Sequence, residues 1–157
     1  MELDKMRNSE PDKMLVFLLF LFGAGSIWDF VTSILGIIGL FGVTDLRLEY
    51  IPTYITALVG SALILGLSIN AKEIWPKSAN NRYKILRPFH MMAIIFDFYT
   101  SFLGTAQSIL LKDSRTAFIT IGFGEAWEGT TFQQKIALLF ITVLVTMSPI
   151  AFSRLRN

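Results

Sequence analysis

The chain contains no cysteine. Disulfides, thiolate nucleophiles, zinc–thiolate sites, iron–sulfur clusters and S-palmitoylation are therefore excluded. It has a single histidine, His90, so metal or haem centres built on several imidazoles are excluded too. Charge is also scarce. Only 17% of the 157 residues are Asp, Glu, Lys or Arg, against about 25% in soluble proteins. No Gly-x-Ser-x-Gly elbow, phosphate-cradling loop or nucleophile–base pair is present, so no enzymatic activity and no cofactor are expected. The formal net charge is +2. No continuous basic stripe with interleaved aromatics accompanies it, so nucleic acid is not an expected partner.

What the chain has instead is apolar length. Hydrophobic residues make up 53% of it. The few charges cluster in short segments, with long apolar runs between them. A hydrocarbon core of about 30 Å needs roughly 20 apolar residues as helix. Four segments of a single domain, 1–157, meet that length: 14–42, 52–70, 88–111 and 136–152. Pro52 and Pro88 open the second and third, where a missing N–H costs nothing. Pro149 is expected to kink or end the fourth. The first run ends in Phe22-Gly23-Ala24-Gly25-Ser26, small residues that could follow a signal peptide. The leading segment carries as much acid as base, so a retained helix is expected. These runs predict an all-α, polytopic integral membrane protein whose first partner is the lipid bilayer.

Basic residues set the orientation. Ten of the 14 Lys and Arg lie before the first span, between the second and third, or after the fourth. Both termini are thus expected on the cytoplasmic side. The basic middle loop reads as this topology signal, with contact to anionic lipid. Tyr50, Tyr54, Trp75, Tyr83 and Trp127 fall where an aromatic belt is expected.

Two stretches match each other. Residues 28–36 read Trp-Asp-Phe-Val-Thr-Ser-Ile-Leu-Gly, and 96–104 read Phe-Asp-Phe-Tyr-Thr-Ser-Phe-Leu-Gly. They predict a partial internal repeat between the first and third spans, both running in the same direction. Asp29, Thr32, Ser33 and Gly36 recur at i, i+3, i+4 and i+7, as do Asp97, Thr100, Ser101 and Gly104. Each helix therefore carries one stripe of small and polar residues. Lipid cannot satisfy these groups, so both stripes should face protein or a wet cavity. Ala57, Gly60 and Ser61 in the second span, and Thr142 and Thr146 in the fourth, are placed to receive them. Gly25, Gly36, Gly39 and Gly104 are expected to allow close helix packing.

Asp29 and Asp97 are the candidate functional groups. A carboxylate at mid-membrane costs several kcal/mol unless it is paired, hydrated or protonated. No Lys or Arg lies within a span to pair with either. The pair could share a proton, or bind a cation together with Thr32, Ser33, Thr100 and Ser101. Intramembrane aspartyl proteolysis also uses two carboxyls, but it needs Gly-x-Gly before one of them. Here Ile94-Ile95-Phe96 precedes Asp97. His90 lies seven residues from Asp97, about 10 Å along a helix, and reads as an interfacial residue.

The segment after the third span holds Thr120-Ile121-Gly122-Phe123-Gly124-Glu125. This resembles the selectivity filter of potassium channels, Thr-Val-Gly-Tyr-Gly followed by an acid. The resemblance implies an outer mouth of Thr120, Gly122, Gly124 and Glu125, in which backbone carbonyls of the Thr-to-Gly run replace an ion's hydration shell and Glu125 matches the acid that follows. It covers about six residues, and Lys112-Asp113-Ser114-Arg115 stands where that family has its pore helix. The expected function is a homo-oligomeric channel or pore-type protein passing small cations or protons. The alternative is a non-conducting small subunit or assembly factor of a larger membrane complex.

Overall fold

The computed structural model describes residues 13–43, 45–76, 81–109 and 123–156. They are helical, with no strand among them. Helix α1 covers Lys13–Leu40 and α2 Ile51–Ile69, after a 3-10 turn at Leu48–Tyr50. Two single-turn helices, α3 (Ala71–Ile74) and α4 (Asn81–Lys84), lead into α5, Leu86–Ile109. A short α6, Phe123–Glu128, precedes α7, Phe132–Leu155. The four long helices match the four expected runs to within four residues at each end.

Three helical segments are long and apolar enough to cross a membrane: Lys13–Leu40, Leu48–Ile69 and Phe132–Leu155. The remaining long helix, α5, has 24 residues but is the most polar. Its inner face buries His90, Asp97, Thr100, Ser101, Thr105 and Gln107.

The ends of the helices follow local chemistry. Pro52 sits in the first turn of α2, where no N–H is required. Thr131 and Gln134 form a capping box at the start of α7. The Thr131 hydroxyl accepts the Gln134 N–H at 3.3 Å, and the Gln134 side chain accepts the Thr131 N–H at 2.8 Å. Pro149 does not end α7, which continues to Leu155. At the end of α1 the chain turns on Gly42, at φ 75°. The Val43 N–H donates to the Ile38 carbonyl at 3.4 Å and the Gly42 N–H to that of Gly39 at 3.0 Å. This is a Schellman closure. It folds Val43 back onto Ile37, Ile38 and Ala57 in one apolar cluster.

The helices alternate in direction. Gly23 of α1 faces Phe152 of α7, and Trp75 after α3 is bonded to His90 of α5. These contacts place the start of α1, the end of α2, the start of α5 and the end of α7 at one end. At the other end, Phe102, Leu103 and Ala106 of α5 pack on Leu138 of α7. Helix α1 touches the other three long helices and meets α5 most extensively.

The interior is more polar than the exterior. Among the described residues, buried side chains include more Ser, Thr, Asp, His and Gln than apolar groups. Large apolar side chains such as Phe20, Ile27, Leu63, Ile95, Phe132 and Phe140 face outward. Water would penalise that distribution by exposing apolar surface, whereas lipid accepts it.

The turn at Gly42 generates the first prediction. Gly42→Ala puts a Cβ into the left-handed region and should cost about 1 kcal/mol. Thermal unfolding in detergent measures it. A variant as stable as the wild type would show that this closure does not hold the end of α1.

Candidate functional site

The interface of α1 with α5 is made possible by two glycines. A Cβ on Gly36 would stand 2.8 Å from the Cα of Thr100, and closer still to its carbonyl. A Cβ on Gly104 would stand 2.9 Å from the Cα of Thr32, again overlapping the carbonyl. The two contacts are reciprocal. Each glycine of the matched nine-residue stretches lies on the backbone at the threonine of the other. Only a residue without a side chain permits this approach.

Close approach brings the serines onto the carboxyls. The Ser33 hydroxyl donates to Asp97 Oδ1. The Ser101 hydroxyl donates to Asp29 Oδ1 at 3.0 Å. The two serine oxygens lie 3.1 Å apart. Each serine has one proton, and donation to its carboxylate uses it. The Thr32 hydroxyl, with one proton to give, is within reach of three acceptors: the Trp28 and Asp29 carbonyls at 3.0 and 3.1 Å and the Ser101 hydroxyl at 3.2 Å. Thr100 lies 3.3 Å from the Ser33 hydroxyl and donates to the Asp97 carbonyl. All six candidate pathway residues thus form one contiguous buried patch, each at most 2% exposed.

The carboxyls of Asp29 and Asp97 neighbour each other. Among the described residues neither forms an ion pair; the ion pairs there join Arg47 to Asp45 and Glu49. Asp97 Oδ2 is buried and, among the described residues, receives no hydroxyl or N–H donor; its neighbour is the Asp29 carboxyl. The hydroxyls of Ser61, Thr105 and Thr146, on the surrounding helices, are likewise buried without a partner.

The other expected residues are placed as follows. Gly25 packs under α7, where a Cβ would meet Ser148 Cβ at 2.8 Å. Gly39 is half-buried and supplies a carbonyl to the closure of α1. Thr120 and Gly122 lie outside the described residues. Gly124 is exposed in α6, the helix that also contains Glu125. That helix docks through Phe123, whose ring centroid is 4.8 Å from Phe102 and 5.8 Å from Trp127.

His90 has a partner that the sequence did not disclose. It is 1% exposed, and its Nδ1 accepts the Trp75 indole N–H at 2.7 Å. The proton of a neutral ring is then on Nε2, which is buried without a partner. Arg87 braces the same corner, donating to the carbonyls of Ile74 at 2.9 Å and Pro76 at 2.9 Å. A histidine on α5 and a tryptophan fifteen residues earlier, in the turn after α3, carry no periodic signal that joins them.

Comparison with family models, curated proteins and solved structures finds no match to this chain. What it does is therefore argued from its own geometry.

The glycine contacts generate the second prediction. Gly36→Ala or Gly104→Ala must push the two helices apart, and each should destabilise by about 1–3 kcal/mol. Gly66→Ala is the control. A Cβ there meets nothing within 4 Å, and the higher helix propensity of Ala should be neutral or stabilising by up to about 1 kcal/mol. Equal effects at all three positions, read from unfolding in detergent, would contradict the close approach.

Proposed function

We propose that this chain is a four-span membrane protein that conducts a small cation, in the first instance a proton, through the carboxyl pair Asp29 and Asp97. The observation that carries the reading is the adjacency of two buried carboxyls, Asp29 and Asp97, with no cation paired to either among the described residues. Two adjacent buried carboxylates without a counter-ion are costly, so the site calls for a bound proton or ion. The donor set of carboxyl and hydroxyl oxygens suits a hard cation.

Several features support the membrane part of the proposal. The 24 residues of α5 give about 36 Å of helix, longer than a hydrocarbon core. Its polar face is turned to α1, which removes the objection to its polarity. Among the described residues, Lys13, Lys72, Lys84, Arg87 and Arg154 lie on elements that meet at one end of the bundle, which we take as cytoplasmic. The reciprocal glycine and serine contacts support reading the matched stretches as a repeat about an axis along the membrane normal.

A route through the acids runs within one subunit in this reading. The six residues are buried against each other, while the outer faces of α1, α2 and α7 are largely apolar. Those outer faces are then free to meet lipid, further copies of the chain or the helices of a larger complex. Gly124 and Glu125, in α6, would lie at the outer mouth of that route.

A second reading has its own support. The hydroxyls close onto the carboxyls and the glycines onto the facing backbone, as in a lock that holds α1 to α5. In that case the protein is a non-conducting subunit or assembly factor, with the acids serving packing alone.

Proton flux into liposomes reconstituted with the purified protein separates the two, beside Asp29→Asn and Asp97→Asn. Asparagine keeps the acceptor oxygen for Ser33 or Ser101 and removes the titratable proton. The pathway reading expects wild-type flux that falls to the rate of protein-free vesicles in both variants. A folded wild type with no flux of protons or small cations would overturn it in favour of the lock.

A further inference from the structure

The turn after α3 is fastened to the start of α5 by bonds of two kinds. The Arg87 guanidinium donates to the Ile74 carbonyl at 2.9 Å and to the Pro76 carbonyl at 2.9 Å. It also lies 5.8 Å from the centre of the Trp75 ring. A guanidinium stays protonated at any pH the protein meets, so these contacts do not depend on pH. The bond from the Trp75 indole N–H to His90 Nδ1, at 2.7 Å, does. Nδ1 accepts only while it carries no proton. An imidazolium has an N–H on both nitrogens, and the indole N–H would then face a second donor.

The surroundings offer an imidazolium little to hold it in place. Its Nε2 is buried and, among the described residues, has no acceptor. The elements packed against this end of α5 carry mostly positive charge. Helix α1 begins with Lys13, α3 has Lys72 and Glu73, α4 has Tyr83 and Lys84, and α7 ends with Arg154 and Arg156. The last turns of α2 hold no titratable group. Lys72 and Arg154 line a cavity of about 370 Å³ together with Trp75 and Pro76. Glu73, the one acid at this end among the described residues, lines a different cavity with Tyr83 and Leu86. Deeper along α5 the next acid is Asp97, seven residues and about 10 Å away. Its Oδ1 already accepts from Ser33, and Asp29 of α1 is its neighbour.

We propose that the Trp75–His90 bond is a proton-operated latch. Neutral His90 holds the indole over itself, and protonation of the ring releases it. The two rings are 6.0 Å apart and tilted by 54°, and His90 is only 1% exposed. Release turns the indole off the histidine and opens the wall that Trp75 gives to the cationic cavity. Arg87 keeps its hold on the Ile74 and Pro76 carbonyls, so the motion is a swing of one side chain and not an unfolding of the turn. The latch stands at the end taken above as cytoplasmic, so acidification of that side would open it. This inference rests on the corner alone and not on the pair Asp29 and Asp97, and either can fail without the other.

The test is the indole N–H resonance of Trp75 in the nitrogen-labelled, full-length protein in detergent. Trp28→Phe and Trp127→Phe leave Trp75 as the only tryptophan of the three. Near neutral pH the signal should be that of a hydrogen-bonded indole, slow to exchange with solvent. On acidification, while the helices remain intact by circular dichroism, it should move to that of a solvated indole. The ratio of closed to open should fall about tenfold per pH unit below the transition, as a single proton requires. His90→Gln keeps an acceptor oxygen for the indole and removes the titration, so the closed signal should persist into acid. If the single-tryptophan protein fails to fold, the same resonance is read in the wild type, assigned by its loss in Trp75→Phe. A wild-type signal that does not move over the folded range would overturn the latch. So would a transition that survives unchanged in His90→Gln.

Discussion

The approach of α1 to α5 over Gly36 and Gly104 is the constraint on which the rest of the bundle depends. With any side chain at either position, a Cβ would overlap the facing backbone. The helices would separate, and the hydrogen bonds of Ser33 and Ser101 to the opposite carboxyls would be lost. Those bonds are short-range, so they cannot survive a displacement of an ångström or two. The glycines are therefore the reason that two acids can be buried at the centre of a largely apolar chain.

That arrangement inverts the usual division between core and surface. In a soluble domain apolar burial drives packing. Lipid tails are as apolar as leucine and give no such drive between helices. Packing here relies on close backbone contact, on hydroxyls turned inward and on hydrogen bonds between helices. Thr142 and Ser148 of α7 return their hydroxyls to the Leu138 and Leu144 carbonyls, each at 2.7 Å, so their polarity is absorbed within the helix. Among the described residues, the hydroxyls of Ser61, Thr105 and Thr146 are not absorbed in this way. Buried polar groups left open are where bound protons, ions or water have their sites.

The two ends of the bundle differ in kind. One is closed by apolar and aromatic packing, through Ile38 with Val43 and through Phe102 with Leu138 and Phe123. The other gathers Lys72, Arg87 and Arg154 around Trp75 and Pro76. An asymmetry of this sort orients a helix bundle in a membrane.

Sequence alone located the long helices to within about four residues, because an apolar run bounded by charge and proline is a local property; it did not place the ends of α7, which runs through Pro149 to Leu155. It also determined which face of α1 and of α5 turns inward. The recurrence of Asp, Thr, Ser and Gly at helical spacing leaves no other face for the polar groups in lipid. Tertiary structure decided the rest. That Gly36 lies on Thr100 and Gly104 on Thr32, and not glycine on glycine, follows from how the two helices cross, which periodicity within one helix cannot encode. The bond from Trp75 to His90 and the meeting of Lys72 with Arg154 join residues from separate elements. Each depends on where a turn returns the chain, and spacing along a single helix carries no record of that.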